Sequence, residues 1–130
     1  MKSKSVRNAA YLVAIIGVLL HAYLIYFHTE RHGSVYGVIV PAMNVVPYLV
    51  CIVLARVTTK PVMALCSGLL VLMVDLSIFH DYLFSTRTFR FALIEFYQIM
   101  FKTAVVVPLG CFVGSLIDKY CGRSGVKHVD

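Results

Sequence analysis

Four polar side chains in this sequence stand where polarity is costly, and three of them are of kinds that hold or exchange charge. His21, Asn44, Asp75 and Lys102 each interrupt a long apolar run. An ionisable group at the centre of a bilayer costs at least about 2.5–3.5 kcal/mol and normally faces a bundle interior with a partner. At about 1.5 Å of rise per residue from the run centres, all four fall within about 2–5 Å of the midplane, displaced to the same, outer side. Asp75 and Lys102 make the natural ion pair. Two chemistries are open to them. A buried salt bridge would fix helix register, or a proton or substrate would compete with Lys102 for the carboxylate. His21 adds an imidazole, the side chain that most readily exchanges a proton near neutral pH.

Prolines mark the backbone around this level. Pro41 and Pro47 bracket Asn44, and each removes a backbone donor and frees a carbonyl one turn earlier. The spacing predicts a kinked or partly unwound middle for that run, the device by which broken helices build ion sites from backbone. Pro108 predicts a further kink just inward of Lys102. Glu95, Gln98 and Lys102 recur at three and four residues and so share one helix face. With His80 and Asp81 they form a polar path from the outer boundary to about the middle. The inner halves of the runs are almost purely apolar, which describes a one-sided vestibule and not a pore.

The remaining candidate ligands are histidines. His28 and His32 stand at i and i+4, a pattern that could hold a metal ion with Glu30 or His80. His21 and His80 from two helices could hold a haem. Neither set has a third ligand at fixed spacing, so no resident cofactor is expected. His28-Thr-Glu-Arg-His32 places Glu at the wrong position for a zincin, and no phosphate loop or nucleophile motif occurs. Nothing in the sequence argues for an enzyme.

The elements that must position these groups follow from length. About 20 apolar residues of helix cross a bilayer core, and four runs suffice: about 9–28, 35–54, 61–84 and 91–117. The chain has 130 residues, 60% hydrophobic and only 14% charged, with mean hydropathy +0.85. A soluble domain carries about 25% charge, and a disordered chain is poor in apolar residues. Both classes are excluded. The connections are short, so successive helices should be antiparallel neighbours. The expected fold is an all-α integral membrane protein, a four-transmembrane-helix up-down bundle forming one domain over residues 1–130. The basic leader Lys2, Lys4 and Arg7 precedes an apolar run too long for a cleaved signal, so the first run reads as a retained anchor.

Orientation follows from the Lys and Arg distribution. Lys2, Lys4, Arg7, Arg56, Lys60, Lys119, Arg123 and Lys127 fall on one side; Arg31, Arg87 and Arg90 fall on the other. Both termini are therefore expected in the cytoplasm, with a bacterial inner membrane as the setting. The net charge of +6 is then a matter of topology and anionic headgroups, not of nucleic acid. Cys51, Cys66, Cys111 and Cys121 all fall on the reducing side, so no disulfide is expected. Gly110 and Gly114 form a GxxxG pair that permits close helix approach. The expected partners are the lipid bilayer and another membrane protein, or a second copy of the chain. The functional expectation is an accessory or inhibitory subunit. The alternatives are a homo-oligomeric transporter or channel built on the Asp75 cluster, and a metal- or haem-binding redox subunit.

Overall fold

A computed structural model describes residues 2–28, 42–83 and 93–126 of the chain. Helix α1 spans Lys2–His28, α2 Val46–Val57, α3 Pro61–Leu83, α4 Leu93–Phe101 and α5 Val107–Val126, with a π-helical turn, Lys102–Val106, joining the last two. No strand occurs among the described residues. Three long helical stretches are apolar enough to cross a membrane, and Val46–Val57 is a shorter apolar helix. The architecture is all-helical and compatible with a helical membrane bundle.

The helix ends differ from the apolar limits in a consistent way. Helix α1 begins at Lys2, not near Ala9, and α5 runs on to Val126 past Ile117. Apolar length fixes what fits a bilayer, whereas helix continues wherever no residue breaks it. The Lys, Ser, Arg and Asn residues before Ala9 include no Gly or Pro. Residues 35–41 and 91–92, the expected starts of the second and fourth runs, lie outside the described residues. The second run ends at Val57, where Thr58 turns extended while its N–H still reaches the Leu54 carbonyl. The Thr58 hydroxyl accepts from the Lys60 N–H at 3.1 Å. Pro61 then opens α3, at a position where a missing N–H costs nothing.

Contacts fix the helix directions. Ala10 of α1 meets Ala55 of α2 and Ala64 of α3 in one small-residue cluster. Leu24 meets Phe79 at the other end. Helices α1 and α3 are thus parallel, with α2 antiparallel to both. Gly114 and Gly110 of α5 lie on Met63 and Ser67 of α3, so α5 runs antiparallel to α3. Lys60 and Asp118 lie 3.7 Å apart at that same end, and Arg7 donates to the Thr58 carbonyl at 3.2 Å. Helix α3 is the centre of the assembly: α1, α2 and α5 all pack on it.

The GxxxG pair is consumed by this packing. A Cβ on Gly110 would overlap the Ser67 backbone, and one on Gly114 would come within 2.6 Å of the Met63 Cα. The Ser67 hydroxyl donates to the Val107 carbonyl, 2.9 Å away across the same contact. Large apolar side chains face outward instead, among them Leu12, Ile15, Leu19, Met73, Leu109 and Phe112. Fully buried positions hold Asp75, Lys102, Asn44 and Ser67. Polar groups inside and apolar groups outside are the distribution expected where lipid surrounds the protein.

Candidate functional site: a buried ion-paired cluster

Two local breaks in helical winding carry the site. In the second run Ala42 and Met43 are helical and Asn44–Val45 form a turn before α2 begins. The Val45 N–H reaches back to the Ala42 carbonyl at 3.1 Å, and the Tyr48 N–H to Val45 at 3.0 Å. Pro47 is the cause. It has no N–H to return to the Met43 carbonyl, so the α-helical ladder cannot pass through it. It sits instead in the first turn of α2, where its fixed φ suits a helix start. In the fourth run the helix widens over Lys102–Val106, and the Val107 N–H bonds the Lys102 carbonyl five residues back. Pro108 follows directly. Its ring crowds the carbonyl four residues earlier, and a wider turn relieves that clash. The breaks fall at Asn44 and Lys102, the two residues that meet across the bundle.

The geometry at the centre is closed. The Lys102 ammonium donates to Asp75 Oδ1 at 2.6 Å and to Asn44 Oδ1 at 3.0 Å. Asp75 Oδ2 accepts from the Tyr48 hydroxyl at 2.5 Å and lies 2.8 Å from His21 Nε2. An ionised carboxylate has no proton to give, so Nε2 is the protonated nitrogen of His21 in this bond. The imidazole stands edge-on to Phe79, with centroids 5.6 Å apart, and tilted against the Tyr48 ring at 5.7 Å. Asp75 and Lys102 are both 0% exposed. One carboxylate and one ammonium cancel, and hydrogen bonds satisfy the lone pairs that the ion pair leaves over. A buried pair requires that arrangement to offset its desolvation.

The structure thus brings together His21, Asn44, Asp75 and Lys102, one from each of the four runs. Gln98 is half-buried one turn outward and does not bond the cluster, and His80 is exposed. The side chains of His28, Asp81 and Glu95 lie outside the described residues, as do Pro41 and His32 altogether. The polar path proposed for His80, Asp81, Glu95 and Gln98, and the His28–His32 pair, therefore stay expectations. No group of three or more His, Cys, Asp or Glu placed to hold a metal occurs among the described residues.

Tyr48 was not singled out in the sequence. Its signal was there: it stands four residues after Asn44 and so shares that residue's face. The proline between them concealed it, because a break makes helical spacing unreliable. Replacing Tyr48 by Phe is expected to cost about 1–3 kcal/mol, the loss of one hydrogen bond to a buried carboxylate. Thermal unfolding in lipid nanodiscs measures it; an unchanged Tm would show that the hydroxyl contributes nothing.

The fold and site define a class: an all-helical chain with the apolar exterior of a membrane bundle, closed around an ion-paired polar core. Comparison with protein-family models, curated proteins and solved structures found no match to this chain.

Proposed function

We propose that this chain is a four-span protein of the bacterial inner membrane, with both termini cytoplasmic, acting as an accessory or inhibitory subunit of another membrane protein. One observation carries the reading: His21, Asn44, Tyr48, Asp75 and Lys102 satisfy one another inside a single chain. A core of this kind locks helices together, because each of these five side chains is held by another of them. Toward the opposite end from Leu24 and Phe79, Ala10, Ala55 and Ala64 pack against one another. What remains for function is the outer surface, through which such a protein would bind its partner. Native mass spectrometry of the protein extracted gently from its host membrane tests this. A specific, stoichiometric co-purifying protein is expected; a lone monomer or a homo-oligomer would defeat the reading.

A second reading, a homo-oligomeric transporter, is favoured by a different observation. Both helix breaks fall at the cluster, and π-turns and unwound segments concentrate at functional sites. Under it, Asp75→Asn abolishes flux in proteoliposomes while the protein stays folded. If the cluster is only a lock, the same change lowers stability and leaves partner binding by the surviving folded fraction intact.

A further inference from the structure

Beside Lys102 stands a polar atom without a role. Thr103 Oγ1 is buried and has no hydrogen-bond partner among the described residues. A helical threonine normally returns its hydroxyl to a carbonyl one turn back. Here the residue lies inside the π-helical turn, which holds one residue more than an α-helix would. Beyond that turn α5 is fixed by Gly110 and Gly114 on the backbone of α3.

That combination has a geometric consequence. An α-helix turns about 100° per residue. If the turn rewinds to an α-helix kinked at Pro108 while α5 stays anchored, every residue before it advances one angular place. Thr103 then takes the position of Lys102, and Lys102 takes that of Phe101, which is 53% exposed. The orphaned hydroxyl enters the cluster as the lysine leaves. Asp75 and Asn44 then face Thr103 with three side-chain oxygens and one uncompensated negative charge. Oxygen ligands with a single charge suit a hard monovalent cation. The charge on the departing lysine settles the rest. An ammonium on the membrane face is costly, whereas the neutral amine is not. Lys102 therefore gives up its proton as it leaves.

We propose that the Asp75 cluster is an exchange site for one monovalent cation, filled either by the Lys102 ammonium or by a sodium ion, with the π-helical turn as the register switch between them. The balance is one for one: sodium enters, Lys102–NH3+ becomes Lys102–NH2, and one proton is released. No bond to carbon changes and no electron moves. The titratable groups facing the exchanging charge are His21 from α1, Tyr48 from α2 and Asp75 from α3, with Cys51 one turn inward of Tyr48. This deepens the transporter reading by naming its ion, and it rests on that reading only for its biological use. Binding and proton release are measured without transport, so the two fail separately.

The experiment uses the full-length protein in detergent, weakly buffered at alkaline pH, with a pH-indicating dye. NaCl is titrated against choline chloride at equal ionic strength. The expected result is release of about one proton per chain with NaCl and none with choline. Thr103→Val is the decisive variant. It removes an unpaired hydroxyl, so without sodium it should be at least as stable as the parent. It should raise the sodium concentration for half-release at least tenfold. Failure of the unmodified protein to release protons in NaCl overturns the exchange site. An unchanged sodium response in Thr103→Val overturns the register switch and the role of Thr103.

Discussion

Lys102→Met is expected to destabilise the folded protein by about 3–5 kcal/mol, the range for stranding one member of a buried ion pair. Asp75 would keep its bonds from Tyr48 and His21 but lose the Lys102 ammonium, and Asn44 would lose its donor. Adding Asp75→Asn to that chain should recover a large part of the loss, because the stranded charge is gone while an acceptor remains. The double-mutant cycle gives the coupling directly, and contacting residues in one network couple by about 0.5–3 kcal/mol. Unfolding should be followed in nanodiscs in choline salts, so that no sodium compensates for the lysine. A Lys102→Met protein as stable as its parent, with zero coupling, would show that the pair contributes nothing to the fold.

Gly17→Ala is the second large effect, and it acts without touching a polar atom. A Cβ at this position would overlap the Tyr48 ring. That ring is fully buried, and Asp75 holds its hydroxyl. It is rigid, so it cannot yield as a flexible chain end would. Either α1 and α2 separate or Tyr48 leaves its place. Overpacking costs about 1–3 kcal/mol, and loss of the Tyr48–Asp75 bond adds about 1–3 kcal/mol. The total should exceed the loss from Tyr48→Phe. Trimming the ring with Tyr48→Leu in the same chain should return part of it. Gly122→Ala is the internal control: nothing lies within 4 Å of the added Cβ. There the better helix former should be neutral or stabilising by up to about 1 kcal/mol. Equal effects at Gly17 and Gly122 would mean that the close approach at Tyr48 is not a constraint.

These two variants probe features of unequal legibility. The ion pair could be read from the chain because rise per residue converts sequence position into depth, and Asp75 and Lys102 fall at one depth on successive runs. The same arithmetic placed His21 and Asn44 beside them. The contact between Gly17 and Tyr48 could not be read in this way. It depends on how far α1 and α2 are rotated about their own axes, and rotation is set by the side chains of the facing helix. The Gly110–Gly114 pair shows the same limit. Its spacing promised close approach, and only packing decided that the approached helix is α3 of the same chain.

Asn44 and Lys102 mark a further boundary. Pro47 and Pro108 announced that winding would falter near both residues, since a missing N–H cannot be restored locally. The forms it took, a turn at Asn44–Val45 and a π-helical turn from Lys102, were not in the prolines themselves. Only the structure shows which carbonyls the displaced N–H groups reach: Ala42 and Val45 at the first break, and Lys102 at the second.

By itself the sequence determined that this is a helical, apolar-surfaced protein and that its charged interior residues share one level. Both depend on quantities local to the chain: apolar length and axial rise. Tertiary structure alone decided that Tyr48 completes the carboxylate's partners, that α3 is the common support, and that the Thr103 hydroxyl finds no bond among the described residues. Those depend on azimuth and on which helix lies across the contact, which one chain segment cannot specify until the others are packed against it.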